Sequence, residues 1–216
     1  MTRTSRACGW LLGLALAGAA GQAAALEPER FSLAFEAGYQ GLDAASDSAK
    51  AVFDGSTGGT TFGGSARVGL GRLFFVGAGA RFFSKEGQRV YVADAGSPVY
   101  PLGHPLELKL RPIYGFAGVR LFADSKLVPY LAVGGGATSY KETSTVGGET
   151  TEVSESKGTF LVMLGADWRV HPNVSLGVEG RYTSISDAIG LAGVSKVYGE
   201  DNLGGFSFAG RLGFGR

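Results

Sequence analysis

Eight charged residues stand at alternating positions inside stretches that are otherwise apolar or rich in glycine: Glu36, Arg67, Arg81, Asp167, Arg169, Glu179, Arg181 and Arg211. Successive side chains of a strand point to opposite faces, so this spacing gathers the charges on one face of a sheet and leaves the other face apolar. If the charged face encloses a narrow space, the ions must pair, because an unpaired charge out of water is strongly destabilising. Arginines outnumber acids in this set, so an ion path through such a space would favour anions. The competing reading is a plug of salt bridges that braces the interior, and a small closed sheet whose inside is filled by side chains favours the plug.

Other chemistry has weaker support. His104 lies between Gly103 and Pro105, with Ser97 a few residues before it. A His base beside a Ser nucleophile is the minimum for hydrolysis, which makes a hydrolase using His104 the alternative from a different functional class. Neither Gly-x-Ser-x-Gly nor His-Glu-x-x-His occurs, and His171 stands beside Pro172 as a turn residue. The chain is therefore read as a non-enzyme with no catalytic residue, metal or cofactor. Glu142, Glu149, Glu152 and Glu155 offer oxygens to a divalent cation, but among Ser, Thr and Lys they read as solvated loop charge. Gly134-Gly135-Gly136 has no Lys-Ser/Thr or helical pattern after it, so it reads as a weak spot or bend rather than a phosphate loop.

The elements that must position the charged face are strands. Thr159–Ser184 forms two arms joined at Pro172-Asn173. Phe160, Val162, Leu164, Ala166, Trp168 and Val170 share one parity of the first arm, and Val174, Leu176, Val178, Gly180 and Tyr182 share one parity of the second. Each arm is about 10 residues, the length of a tilted strand that crosses a bilayer. The same pattern predicts strands over Phe31–Gln40, Thr60–Gly71, Leu73–Phe83, Glu107–Phe122, Leu127–Tyr140 and Leu203–Phe214. The facing of Glu107–Phe122 is ambiguous: Arg120 inside puts Tyr114 and Phe116 inside and Arg111 outside, and a bulge near Pro112 would reconcile its two ends. The favoured facing puts Ile113, Ala117, Val119 and Leu121 outward. Ser84–Leu106 reads as an irregular loop because it carries Pro98, Pro101 and Pro105.

The ends and the composition narrow the class. Arg3 and Arg6 precede an apolar run over Gly9–Ala20 and a small-residue site at Ala23-Ala24-Ala25, the pattern of a cleaved signal peptide over residues 1–25. The one cysteine, Cys8, lies before the apolar run, so the exported part has no disulfide. Removing Arg3 and Arg6 from 20 basic residues leaves one fewer than the 19 acids, and nothing asks for nucleic acid. The 37 glycines follow no collagen period and fall inside strand patterns, where a crowded interior or a sharp bend gives them a reason.

Eight strands joined by alternately long and short connections fit an all-β, eight-stranded antiparallel up-and-down barrel over residues 26–216. Descending strands repeat a motif: Ser-Ala-Arg67-Val-Gly-Leu, Phe-Ala-Gly-Val-Arg120-Leu-Phe, Gly-Ala-Asp-Trp-Arg169-Val and Phe-Ala-Gly-Arg211-Leu-Gly-Phe. Ascending strands end on Tyr39, Phe82-Phe83, Tyr140 and Tyr182, which suggests an aromatic girdle. On these features the chain resembles the small outer-membrane β-barrel family of Gram-negative bacteria, the barrel domain of OmpA-like surface proteins. The resemblance implies a monomer in outer-membrane lipid and lipopolysaccharide, assembled by the barrel-assembly machinery. Long external loops on a rigid scaffold are where an unidentified extracellular ligand would bind. Family members usually close on an aromatic residue, whereas Gly215 and Arg216 follow Phe214 here, and no peptidoglycan-binding segment follows. A soluble sandwich or lipocalin-like periplasmic carrier would show the same alternation and remains the third reading.

Overall fold

The computed structural model describes residues 30–146, 148–186 and 193–215; the expected signal peptide lies outside them. Eight strands close into one antiparallel ring in sequence order, with the first paired to the last. They are β1 (Phe31–Gly41), β2 (Gly58–Leu70), β3 (Phe74–Tyr91), β4 (Tyr100–Arg120), β5 (Leu127–Val146), β6 (Glu149–His171), β7 (Val174–Ile185) and β8 (Gly205–Gly215). Closure leaves no free edge around the ring. The turns β2–β3, β4–β5 and β6–β7 lie at one end and are short, while the other four connections lie at the opposite end. Among the described residues no helix is long and apolar enough to cross a membrane.

The outward parity of the lower barrel is apolar, as the alternation requires. Phe35, Phe62, Ile113, Leu164, Val178 and Phe208 are all more than half exposed. Near the long-loop end Phe62 stacks on Phe82 at 5.5 Å between centroids and Tyr182 meets Phe206 at 5.0 Å. Phe83 and Tyr140, expected in the same girdle, are instead buried inside the ring.

Above the girdle the structure departs from the sequence reading. The segment expected as an irregular proline loop is largely strand: β3 and β4 continue upward, with Gln88 opposite Pro105 and Val90 opposite Pro101. Pro101 and Pro105 are tolerated because β4 is paired on one side only at that height; its pairing with β5 begins at Leu106. No bulge forms at Pro112. The β3–β4 ladder lapses opposite Arg81 and Phe82, where Pro112 has no N–H to give, and resumes in the same register. The register shift lies higher, between Gln88 and Val90. Gly134-Gly135-Gly136 is no weak spot either; it pairs continuously with β4 and β6.

A small apolar core closes the upper mouth. A 3-10 turn (Asp43–Ala45) and helix α1 (Ser46–Val52) in the first connection pack with helix α2 (Val194–Tyr198) in the last. Leu42, Ala49, Val52, Phe53, Phe83, Leu106, Leu108, Leu110, Tyr140, Ile185, Val194 and Leu203 are all buried there. The Glu200 carboxylate fixes the helical lid by accepting from the backbone N–H groups of Asp47 and Ser48, at 3.1 and 2.9 Å, and from the Ser48 hydroxyl. A carboxylate on free N–H groups at a helix start satisfies donors that the helix itself cannot. Asn202 ties the last connection back to β7 by accepting from the Ile185 N–H at 3.0 Å and donating to the Ser184 hydroxyl at 2.8 Å.

Candidate functional site: the lumen charge network

Seven of the eight predicted lumen charges meet in one cluster beneath the apolar lid. Glu179 is fully buried and central. It accepts from Arg181 at 2.7 Å, Arg81 at 2.9 Å, the Tyr130 hydroxyl at 2.8 Å and Arg67 at 3.4 Å. Glu36 accepts from Arg81 at 2.8 Å and from the Ser65 hydroxyl at 2.9 Å, with Arg181 at 3.4 Å. Asp167 binds Arg211 at 2.7 Å and Arg67 at 3.1 Å. These contacts join β1, β2, β3, β5, β6, β7 and β8 across the interior. Arg169, the eighth, faces the lumen lower down, where it lines a chamber with Arg67, Arg120 and Asp167.

A layer of rings beneath and beside the ions was not anticipated as part of the site. Phe75, Tyr114, Phe116, Tyr130, Leu161 and Met163 are buried in the lumen. The Arg67 guanidinium lies 4.1 Å from the Tyr130 ring centre, and that of Arg181 lies 4.5 Å from Tyr114. Such contacts compensate cations removed from water. The rings fit because glycines face them. A Cβ on Gly79 would sit 2.7 Å from the Tyr114 hydroxyl oxygen, and one on Gly77 would sit 2.5 Å from the Phe116 ring. The glycines inside the strand patterns thus mark the floor on which the aromatic layer rests.

Among the described residues two small cavities lie in the lumen. The lower one, lined by Arg67, Phe75, Arg120, Tyr130, Asp167 and Arg169, has a volume of about 30 Å³. The upper one, between Arg81, Tyr114, Arg181 and the lid residues Phe83 and Ile185, has about 20 Å³. Each has room for a water or two.

The other predicted chemistry is dispersed. His104 lies half-buried on β4 and Ser97 in the turn before it, and no hydrogen bond joins them. His171 ends β6 at the short-turn end. The four loop acids do not converge: no metal-holding group of His, Cys, Asp or Glu occurs among the described residues. Glu142, expected in solvent, is buried and accepts from the Tyr140 hydroxyl, while Glu152 pairs with Lys141 at 2.7 Å and Glu155 with Lys157 at 2.7 Å. On the outside of the upper barrel, hydrogen bonds from Lys109 and Ser84 hold the Glu107 carboxyl below the usual carboxylate range.

The model of the outer membrane protein beta-barrel domain matches residues 10–213. The chain belongs to that family. Its place is therefore the cell outer membrane, crossed by all eight strands; barrels of this kind keep their short turns periplasmic and their longer connections external. The search of curated proteins gave no match. Among solved structures this barrel is similar to the neisserial surface protein A, at 18% identity and TM-score 0.53, over 85% of this chain and 95% of that one. It is also similar to the N-terminal β-barrel domain of Pseudomonas aeruginosa OprF, at 8% identity and TM-score 0.50, over 88% and 100%. A major outer membrane protein of Thermus thermophilus follows at 13% identity and TM-score 0.50, over 86% and 98%. At these identities the likeness is one of fold. The family match and the apolar outward face together remove the soluble sandwich and the lipocalin-like carrier, which would keep their apolar parity inside.

Proposed function

We propose that this outer-membrane barrel is a closed, non-enzymatic surface scaffold. It acts as a monomer in outer-membrane lipid and presents its extended β3–β4 and β5–β6 hairpins to an extracellular ligand. The observation that carries the reading is the obstruction of the lumen. Glu36, Asp167 and Glu179 bind Arg67, Arg81, Arg181 and Arg211 across the whole interior, and the apolar lid covers them from above. The small cavities above and below that layer are separated by these ion pairs. An ion entering would have to break several pairs in a medium where each is held strongly.

Planar-bilayer recording with the folded full-length chain tests this. The expected record is flat, with no discrete openings. Any residual leak favours chloride over potassium, because arginines outnumber acids in the layer. Regular open steps would overturn the scaffold reading, and cation preference in them would also overturn the charge argument. The hydrolase alternative predicts ester or lipid hydrolysis by the wild-type chain that disappears in His104→Ala; the scaffold reading predicts none in either.

A further inference from the structure

The outer surface of β4 and β5 just above the girdle carries a layered charge pattern that the scaffold role does not use. On β4 the outward parity rises from Ile113, which is exposed to lipid, through Arg111 and Lys109 to Glu107. Across the ladder Arg111 faces Ser139, Lys109 faces Lys141, and Glu107 faces Thr143. On β6 these rows continue as Ser156, Ser154 and Glu152. The two rows nearest the apolar belt therefore hold three cations and several hydroxyls but no acid. The acids Glu107 and Glu152 begin one row farther out.

This arrangement has a cost in isolation. Like charges placed directly opposite on a sheet repel, and Lys109 is opposite Lys141. Glu107 neutralises Lys109 at 2.6 Å and Glu152 neutralises Lys141 at 2.7 Å, each from the row above. Arg111 is exposed and has no ion pair or hydrogen bond among the described residues. Cross-strand neighbours are about 5 Å apart and successive same-face residues about 7 Å, so one anionic group of phosphate size reaches all three cations. Lysines at such a boundary swing toward either layer while their stems stay on the apolar surface.

We propose that Arg111, Lys109 and Lys141 bind a phosphorylated headgroup of an outer-leaflet lipid, with Ser139 and Ser156 as additional donors. Charge complementarity selects the phosphate. The position directly above Ile113 selects a lipid, whose chains lie along the apolar parity below while its headgroup rests on the cations. A fixed lipid there stations the barrel at a set depth and braces the β4–β5 pair from outside.

The test uses the folded full-length chain in neutral detergent with bisphosphorylated lipid A as probe, and counts retained lipid by native mass spectrometry. Joint replacement Lys109→Gln, Arg111→Gln and Lys141→Gln is expected to cut retention about tenfold or more, from the attraction each basic residue contributes at an anionic surface. Lipid A stripped of its phosphates is expected to be retained as poorly by the wild type. Glu107→Gln with Glu152→Gln, which frees both lysines, is expected to raise retention. Heat-modifiable gel migration verifies that each variant is folded, and Arg111→Gln alone, at an exposed position with no partner, serves if the triple variant is not. Undiminished retention in a folded variant, or equal retention of the dephosphorylated lipid, overturns the proposal. Displacement by inorganic phosphate at a concentration no higher than that of the lipid also overturns it, since the site would then take a free anion as readily as a headgroup. None of these outcomes bears on whether the lumen conducts.

Discussion

The lower and upper halves of this barrel use one sheet with opposite facings. Below the girdle, β7 and β8 turn Val178, Phe208 and Leu212 outward and Glu179, Ser207 and Arg211 inward. Above it, β4 turns Leu106, Leu108 and Leu110 inward and Glu107, Lys109 and Arg111 outward. The backbone ladder runs through the change without interruption on the β4–β5 side. What inverts is the surroundings: hydrocarbon outside the lower half, water outside the upper half. The apolar parity therefore moves from the outer wall to the interior, and the upper half acquires an ordinary protein core while the lower half is held by ions and rings. The comparison teaches that alternation reports which side is drier at each height, not which side is inside.

The largest expected effect comes from breaking the ionic half at its centre. Glu179→Ala removes the fully buried carboxylate that holds Arg67, Arg81 and Arg181 and leaves those cations with Glu36 and Asp167. Removing one partner of a buried ion pair costs about 3–5 kcal/mol. Urea unfolding of the refolded barrel in lipid vesicles, followed by Trp168 fluorescence, should show a loss in that range. An unchanged midpoint would mean that water, not Glu179, satisfies the arginines.

The facing itself can be sharpened with one new arginine placed in each half. Val178 is outward in the lower half, paired with Gly210 and Ala166. Val178→Arg is expected to destabilise by about 2–4 kcal/mol, the cost of Arg toward the bilayer midplane. Thr143→Arg, outward in the upper half beside Glu107 and Glu152, is expected to stay within about 0.5 kcal/mol of wild type. Equal costs at the two positions would refute the change of solvent at the girdle.

The apolar core under the lid should fail separately from the barrel. Leu108 is fully buried against the lid. Leu108→Ala is expected to cost about 2–3 kcal/mol, the lower part of the range for buried leucine because the short connections above it can settle inward. Hydrogen exchange should accelerate in α1, α2 and the upper ends of β3 and β4, while amides of β7 and β8 below the girdle stay protected. Simultaneous loss of protection in both regions would show that the two halves unfold as one unit.

How much of this was legible follows from where alternation has contrast. In β1, β2, β3, β6, β7 and β8 the lower segments set Phe, Val and Leu against Gly, Ser and charge, so strand count, facing and the seven charges of the network are read directly. Contrast vanishes in β4, whose inward parity is apolar throughout: Leu106, Leu108 and Leu110 belong to the core under the lid, and Tyr114 and Phe116 to the ring layer. That is why its facing was ambiguous, and why Phe83 and Tyr140 read as girdle residues. The aromatic layer did leave a signal in Gly77, Gly79, Gly134 and Gly136, which flank Tyr114 and Phe116 on the neighbouring strands. Reading it requires the register, which single strands do not carry. Pro101 and Pro105 misled for a related reason. Their cost depends on whether a second strand lies alongside, and that is settled by tertiary pairing.

The smallest expected effect tests whether the lid is held by packing or by its polar ties. Ser48→Ala removes a buried hydroxyl that donates to Glu200 but keeps the backbone bonds from Asp47 and Ser48 to the same carboxylate. A single hydrogen bond to a charged acceptor contributes about 1.5–3 kcal/mol at most. With the two N–H donors retained and water able to reach Glu200, a loss of about 1 kcal/mol or less is expected. It should appear as faster exchange of the α1 amides alone, with the urea midpoint of the barrel unmoved. A loss as large as that of Leu108→Ala would transfer the hold on the lid from the apolar core to the Glu200 contact, and the upper half would then resemble the lower one in being held by polar groups.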